Sequence, residues 1–502
     1  MTGASDRRPP NLLVVVMDCV RASDFPGGSE PVEGMTFTEE LLRESTVFQK
    51  AVSVAPWTIP AHASLFTGMN PWEHGCHAQA SLTLREDIPR LAALLSNSGY
   101  ATMSLSANPF ISSAFGLVAG FERAVWGGWW ESYARLPREI PPDGLNVRPG
   151  GSGALLRRLR RSPLGAAMLQ RMDDVYRYPL LLDSANRVLQ HLRAPGHVGD
   201  VMVSPWIEPT FARWIRETPV NKPIFAFVNL VDAHEPYYAD PSVIRSTRDW
   251  VSYARSRQDH VAYAAGSWSL DSDRARQLHQ LYRASIRRID RRLQTLASLL
   301  EAEGRWDSTT VVLTSDHGQA FGEHGVLFHM FRPDEPELRI PLIYRGSKSR
   351  RGRLARGWAS LIDVAPTLLG EASVHPPTTM SGTPLERLVD GDRPGPVLAM
   401  SDGLVFGHVR TRFRGPRRER FDRCWGVAYQ GDRKVVVDSS DGVKVEYDVV
   451  LDYLERAGRT DGGRAAEDPL ADAAREVARR MRASVPAAPS EDLEDRLRSW
   501  GY

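Results

Sequence analysis

The sequence predicts an α/β fold: a large mixed, mostly parallel sheet flanked by helices, then a small C-terminal antiparallel sheet and a helical tail. Three observations carry this. Asn11–Met17, Pro223–Leu230 and Thr309–Ser315 are continuous apolar runs with many β-branched residues, as expected of strands covered on both faces. Each is followed closely by groups able to bind a ligand: Asp18, then His234, then Asp316 and His317. Ligands collect at the carboxyl ends of strands in open α/β sheets. Between the second and third runs, Leu278 to Glu303 has Leu281, Ile286, Ile289, Leu293, Leu296 and Leu300 at helical spacing with charge opposite, and reads as a scaffold helix.

With 502 residues and 42% hydrophobic content the chain can bury a large core. We divide it into a large domain over 1–392, with an insertion at about 120–205, and a C-terminal α+β unit with a helical tail over 393–502. Lys+Arg 63 against Asp+Glu 61 gives a net charge of +2, which leaves no global electrostatic case for nucleic acid or an anionic membrane. The first apolar run is broken by Asp18 after Leu12 to Met17, too short for a secretion signal or a membrane span. The three cysteines, Cys19, Cys76 and Cys424, are odd in number and far apart, which suits a reducing compartment. A cytoplasmic protein is expected.

In chain order, Asp18 ends the first strand either as a metal ligand or as the N-cap of the next segment. Ala55 to Gly68 opens with turn-forming residues, passes into a helix and stops at glycine. Thr58 stands where the helix begins, and the unpaired N–H groups and positive dipole end there favour an anion. Thr58 reads as a nucleophile or a metal-bound hydroxyl, and the substrate as a small-molecule anionic ester of a tetrahedral oxyanion. Leu91 to Ser98 is a helix closed by Gly99, and Tyr100 to Leu105 the next strand. Asn108 after it is either a turn residue or a hydrogen-bond donor to substrate. The 120–205 segment, with Trp126, Trp129, Trp130, a glycine-rich 144–153 and Arg157 to Arg161, has the texture of a lid or substrate loop. Its arginines are a solvated helix face or an anion-steering rim, and its tryptophans are read as packing. His234 follows a buried strand, either as a structural histidine or as a group whose pKa range suits proton transfer at neutral pH. Asp316-His317 is a compact ligand pair, and Gly318 after it lets backbone approach closely. Past residue 393, Trp425 to Tyr429 and Lys434 to Asp438 suggest a small antiparallel sheet. Arg410 to Arg423 reads as an exposed hairpin or loop, and Ala471 to Met481 as a helix.

Thr58-Ile59-Pro60-Ala61-His62-Ala63-Ser64-Leu65-Phe66-Thr67-Gly68, continued by Pro71 to His74-Gly75, resembles the signature of the sulfatases of the alkaline phosphatase superfamily, Cys/Ser-x-Pro-Ser-x-Ala-Ser-Leu-x-Thr-Gly and then Pro-x-x-x-His-Gly. Val16 to Ser23, Asp232 to Tyr237, Thr314 to Gly318, Gly322 to Gly325 and the tail Leu493 to Tyr502 are similar to further family stretches. The resemblance implies an alkaline phosphatase-like fold and one divalent metal ion, Mn²⁺, Mg²⁺, Ca²⁺ or Zn²⁺. It implies Asp18, Asp316, His317 and the Thr58 hydroxyl as ligands, and His234 facing the leaving-group oxygen. His62 replaces a family Arg, and His329 falls where many sulfatases carry a Lys; both would line the oxyanion pocket. Asn108 and His324 complete the expected substrate-binding surroundings. Cys19 stands where relatives have Thr or Asp, either as a buried inert thiol or as a thiolate that would favour a softer metal.

Thr58 is the main departure, because the family residue there is oxidised to formylglycine. The aldehyde hydrate expels sulfate by elimination, whereas oxidised Thr would be a ketone. Direct attack by Thr58 gives a phospho- or sulfo-threonyl intermediate that water must cleave, a route suited to phosphoryl transfer through a metal-bound alkoxide. Hydrolysis or transfer of phosphate or phosphonate esters is therefore favoured. A true sulfuric ester hydrolase stands beside it, as does a catalytically silent relative that binds an anionic ligand or a partner protein, since the Lys and His pair of the sulfatases proper is missing.

Overall fold

Alternate residues of strand β1 (Asn11–Met17) enter different cores: Leu12, Val14 and Val16 pack on one face, Leu13, Val15 and Met17 on the other. Burial on both sides needs a covering layer on each. The helix Ser272–Ala302 supplies one through Leu278, Leu281, Ile289 and Leu293, and the helices Thr58–Thr67 and Val364–Glu371 supply the other. The computed structural model describes residues 8–127 and 204–484, apart from 236, 238–239, 241, 256–259, 268, 392, 404–412, 441 and 461–467. The readings of Trp129, Trp130, 144–153, Arg157 to Arg161 and the tail Leu493 to Tyr502 lie outside the described residues.

β1 lies inside an eight-stranded sheet formed with β2 (Thr46–Val52), β3 (Ala101–Ser106), β4 (Arg123–Trp126), β5 (Ile224–Leu230), β6 (Thr309–Thr314), β9 (Leu342–Arg345) and β10 (Arg353–Ser360), in the order β10-β2-β9-β6-β1-β5-β3-β4. A hairpin of β7 (Ala320–Phe321) and β8 (Leu327–Phe328) stands apart from it. Only β9 runs antiparallel to its neighbours, so the sheet is mixed and mostly parallel, as predicted. Val16 lies opposite both Thr314 and Asn229, and Asn229 opposite Ser106. The four strands β6, β1, β5 and β3 therefore end level. The segments after them, which carry Asp316–His317, Asp18, Asp232–His234 and Asn108, open on one edge of the sheet.

A second sheet of β11 (Val397–Ser401), β12 (Trp425–Gln430), β13 (Arg433–Asp438), β14 (Lys444–Asp448) and β15 (Arg459–Thr460) is antiparallel throughout. The helix Pro469–Ala483 covers one face. At Gly426 an added Cβ would lie 2.0 Å from the Ala474 carbonyl oxygen, so only glycine admits this approach. The unit is joined to the large sheet behind Thr58, where Met400 N donates to Val54 O (2.8 Å) and Trp57 Nε1 to Asp402 Oδ2 (3.2 Å).

Two expectations are corrected. β4 extends the main sheet to Trp126, so the segment that begins near residue 120 opens as an edge strand. Within Arg410 to Arg423, residues Gly415–Phe421 are helical: Pro416 suits the first turn, arginines are good helix formers, and Phe421 anchors the end against Phe331. Among the described residues no helix is long and apolar enough to cross a membrane.

Candidate active site

Thr58 is the first residue of its helix, after Trp57 in extended conformation (φ −163°), and Gly68 closes that helix at φ 64°. Pro60 is tolerated because N–H groups of a first turn have no partner within the helix. All ten residues from Thr58 to Thr67 are buried. Ser64 Oγ lies 3.0 Å from His74 Nε2, tying the helix to the following Pro71–His74 turn.

Asn108 links Thr58 to β1: its Nδ2 donates to Asp18 Oδ2 at 2.9 Å and lies 3.4 Å from Thr58 Oγ1. Asn229 Nδ2 reaches the same Asp18 oxygen at 3.4 Å. After Asp18 the chain turns through Cys19 at φ 66°, a left-handed conformation uncommon outside glycine. This turn is pinned to the end of β6, with Cys19 N donating to Asp316 Oδ1 (3.2 Å) and Val20 N to Ser315 Oγ (2.9 Å). His317 Nε2 stands 3.3 Å and His62 Nδ1 3.6 Å from Asp316 Oδ2. An added Cβ on Gly318 would lie 2.1 Å from Pro336 O, so the close backbone approach expected after the Asp-His pair is present.

Four imidazoles are oriented in the same way. Nδ1 faces an oxygen in each: Thr58 O for His62 (2.9 Å), Gly318 O for His317 (2.9 Å), Glu235 O for His234 (2.5 Å) and the Gln319 side-chain oxygen for His329 (2.8 Å). A neutral ring holds its proton on the nitrogen facing an acceptor, which leaves Nε2 as the lone-pair atom. His62 Nε2, His317 Nε2 and Asp316 Oδ2 are buried without a hydrogen-bond partner.

Burial by itself pushes the Asp18 carboxyl up, but the His234 and His317 imidazoles and the Asn108 hydrogen bond hold it below the usual carboxylate range. Burial and the Asp18 charge drive Asp316 well above that range. Burial lowers His62 to about 4 and lowers His317 as well. The Cys19 thiol is pushed far up by burial and by Asp18, Glu235 and Asp316. A second carboxyl that resists ionising beside a first, together with orphaned Nε2 and Oδ2 atoms, fits a divalent cation, whose charge would let both carboxylates ionise. Asp18, Asp316, His317 and the Thr58 hydroxyl supply oxygen and nitrogen donors of that class.

A Sulfatase family model matches residues 10–374. The chain belongs to the Sulfatase family. The multifunctional alkaline phosphatase superfamily protein PehA of Trinickia caryophylli is 33% identical to it over 426 residues, spanning 75% of this chain and 76% of that protein. Choline-sulfatase of Rhizobium meliloti is 24% identical over 402 residues, 78% of this chain and 73% of its own. The crystal structure of phosphonate monoester hydrolase of Agrobacterium radiobacter shares the fold, with a TM-score of 0.62 at 18% identity over 89% of this chain and 91% of that one.

In this Sulfatase-family chain the fold brings Asp18, Thr58, His62, Asn108, Asp316 and His317 into one buried group, and places His234 and His329 beside it with ring centroids 5.1 Å apart. His329 and His317 are 4.4 Å apart by the same measure. His324 is held elsewhere: its Nε2 lies 2.9 Å from Leu454 O, in a separate group with Asp334 and Glu455. Sequence reasoning missed Asn229, Glu235 and Gln319. Asn229 carried a signal, since an amide inside an otherwise apolar strand buried on both faces needs a partner. Gln319 bridges the His329 ring, Glu235 Oε2 (2.7 Å) and the Tyr237 hydroxyl (2.7 Å), and nothing in its local sequence marked it.

Proposed function

We propose that this protein is a divalent-cation-dependent hydrolase or transferase of phosphate or phosphonate esters, with Thr58 as the nucleophile. The observation that carries it is the shared amide: one Asn108 Nδ2 lies within 3.4 Å of the Thr58 hydroxyl and 2.9 Å of the Asp18 carboxylate, so the hydroxyl stands among the cation-ligand candidates. The likeness to PehA and to a phosphonate monoester hydrolase supports the ester class, and the likeness to choline-sulfatase keeps sulfate esters within the range tested.

When bound, the cation lowers the pKa of a coordinated hydroxyl and offsets charge on the oxyanion. Thr58 Oγ forms the bond to phosphorus as the ester bond to the leaving oxygen breaks, and water later cleaves the phosphothreonyl bond to restore the hydroxyl. The helix N-terminus at Thr58 meets the oxyanion with its N–H groups. His62 and His329 line the same pocket, and His234 stands on the leaving-group side. His324, whose Nε2 faces the Leu454 carbonyl, takes no part in this pocket. The odd number and wide spacing of the three cysteines support a reducing, cytoplasmic setting.

The test is a panel of aryl phosphate, phosphodiester, phosphonate and sulfate esters with Thr58→Ala and Thr58→Ser. Thr58→Ala should abolish turnover, Thr58→Ser should keep part of it, and acid quench of the wild type should trap a phosphorylated peptide containing Thr58. Undiminished turnover by Thr58→Ala would refute the nucleophile, and turnover of sulfate esters alone would refute the phosphorus preference.

A further inference from the structure

The helix Thr58–Thr67 begins without a capping side chain: Trp57 stands at its N-cap in extended conformation (φ −163°, ψ 163°) and makes no side-chain bond to the first turn. Ser, Thr, Asp or Asn usually fills this place and occupies a first-turn N–H group, which here would compete with the oxyanion. The turn is held instead from the far end of the Trp57 side chain. The indole Nε1 donates to Asp402 Oδ2 at 3.2 Å, and Ala78 N donates to the same oxygen at 3.3 Å.

Trp57 and Asp402 are each 1% exposed, so this contact is made out of water. The other carboxylate oxygen, Asp402 Oδ1, lies 3.6 Å from His77 Nδ1, and these two atoms face each other in the interior without a hydrogen-bond partner. The Asp402 backbone carbonyl accepts from Gln79 Nε2 at 3.3 Å. One residue just past β11 thus joins the residue before Thr58 to the 77–79 segment. A carboxylate is costly to bury, and this one is directed at the ring next to the nucleophile. The neighbouring residues hold the helix at a second point. Cys76 N donates to His74 Nδ1 (3.0 Å), which leaves the ring proton on Nε2, facing Ser64 Oγ at 3.0 Å. Burial lowers His74 to about 3, which keeps that ring neutral.

We infer that Asp402 is a positioning residue for the reaction at Thr58, acting through the Trp57 indole. The inference rests on the reading of Thr58 as the nucleophile. Holding the Trp57 ring fixes the direction in which the backbone enters the helix, and so where Thr58 Oγ stands relative to Asn108 and Asp18. Misplacing a reacting atom by about 1 Å costs on the order of 10²-fold in rate. Both donors meet Oδ2, so an asparagine with its amide oxygen in that place keeps both bonds and turns its N–H toward His77 Nδ1.

Full-length Asp402→Ala, Asp402→Asn, Trp57→Phe and Thr58→Ala are compared with wild type on whichever aryl phosphate, phosphodiester or phosphonate ester the wild type turns over fastest, with far-ultraviolet circular dichroism to confirm folding. Asp402→Ala should lower kcat by roughly 10- to 100-fold with KM little changed, and slow the trapping of phosphorylated Thr58 to match. Trp57→Phe removes the indole N–H while keeping an aromatic ring, and should do the same; it decides the matter if Asp402→Ala does not fold. The double variant should fall no further than either single one, since both break one contact. Asp402→Asn should restore most of kcat, a rescue that loss of general packing would not show. Wild-type kcat in folded Asp402→Ala or Trp57→Phe, a change confined to KM, multiplying losses in the double variant, or an Asp402→Asn as slow as Asp402→Ala overturns the inference and leaves Thr58 in its role. Full turnover by Thr58→Ala, or none by the wild type on any of these esters, overturns both.

Discussion

Arg292→Leu tests how the loop carrying His234 is held. Arg292 projects from the long helix Ser272–Ala302 and donates from Nε to Glu208 Oε1 (2.6 Å), from Nη2 to Glu208 Oε2 (3.1 Å) and from Nη1 to Asp232 Oδ2 (2.7 Å). Its side chain is 3% exposed, and those of Glu208 and Asp232 are 6% and 1% exposed, so one guanidinium serves two carboxylates out of water. Removing one partner of a buried pair costs about 3–5 kcal/mol, because the charge left behind is uncompensated. Two stranded carboxylates place this variant toward the upper end. Asp232 is two residues before His234, so activity should fall too, by up to about 10²-fold for an ångström of displacement. Urea unfolding followed by tryptophan fluorescence should show a lowered midpoint at pH 7 with an unchanged slope. Arg213→Ala serves as control: Arg213 is 72% and Glu217 40% exposed, and such a surface pair contributes less than about 1 kcal/mol. A stability loss for Arg292→Leu no larger than that of Arg213→Ala would refute the reasoning.

Asn108→Ala removes a donor to a charged carboxylate, worth about 1.5–3 kcal/mol; steady-state kinetics should show kcat/KM reduced by roughly 10- to 100-fold. Gly318→Ala sets a methyl against the Pro336 carbonyl oxygen, a rigid neighbour, so a loss of about 1–3 kcal/mol in thermal or urea unfolding is expected, with bound metal reduced as His317 shifts. Asp24 is pushed up by burial, but a hydrogen bond from His279, the Arg21 charge and a hydrogen bond from Arg283 outweigh this and hold its carboxyl below the usual range. Its folded pKa being depressed, its contribution is complete above the unfolded value of about 3.9 and is lost as pH falls through the folded one. Asp24→Asn should therefore be less stable than wild type at pH 7, with the gap closing below about pH 4.

The strands that build the site were legible because burial on both faces leaves uninterrupted apolar sequence, and Asp18, Asp316 and His317 interrupt it where the strands end. Thr58 was legible for a different reason: the turn, the helix start and Gly68 form one local unit, and the αL closure at Gly68 is present. The edge strand at Arg123–Trp126 was not legible, since its burial is mixed and only pairing with β3 makes it a strand. Residues acting across the site through single contacts, such as Gln319 and Glu235, leave no periodic trace. The helix at Gly415–Phe421 was hidden by its charge, because Arg417, Arg418 and Arg420 on so short a segment read equally well as a solvated loop.

The link between Trp57 and Asp402 also bears on how the protein comes to be made. Asp402 takes the Trp57 indole N–H and lies 3.3 Å from Ala78 N, and Met400 supports Val54, so the turn that presents Thr58 is completed from a point some four-fifths of the way along the polypeptide. During synthesis from the N-terminus, that turn waits for β11 to leave the ribosome. A nascent chain stopped near residue 390 would hold every proposed cation ligand and still have an unfinished nucleophile turn.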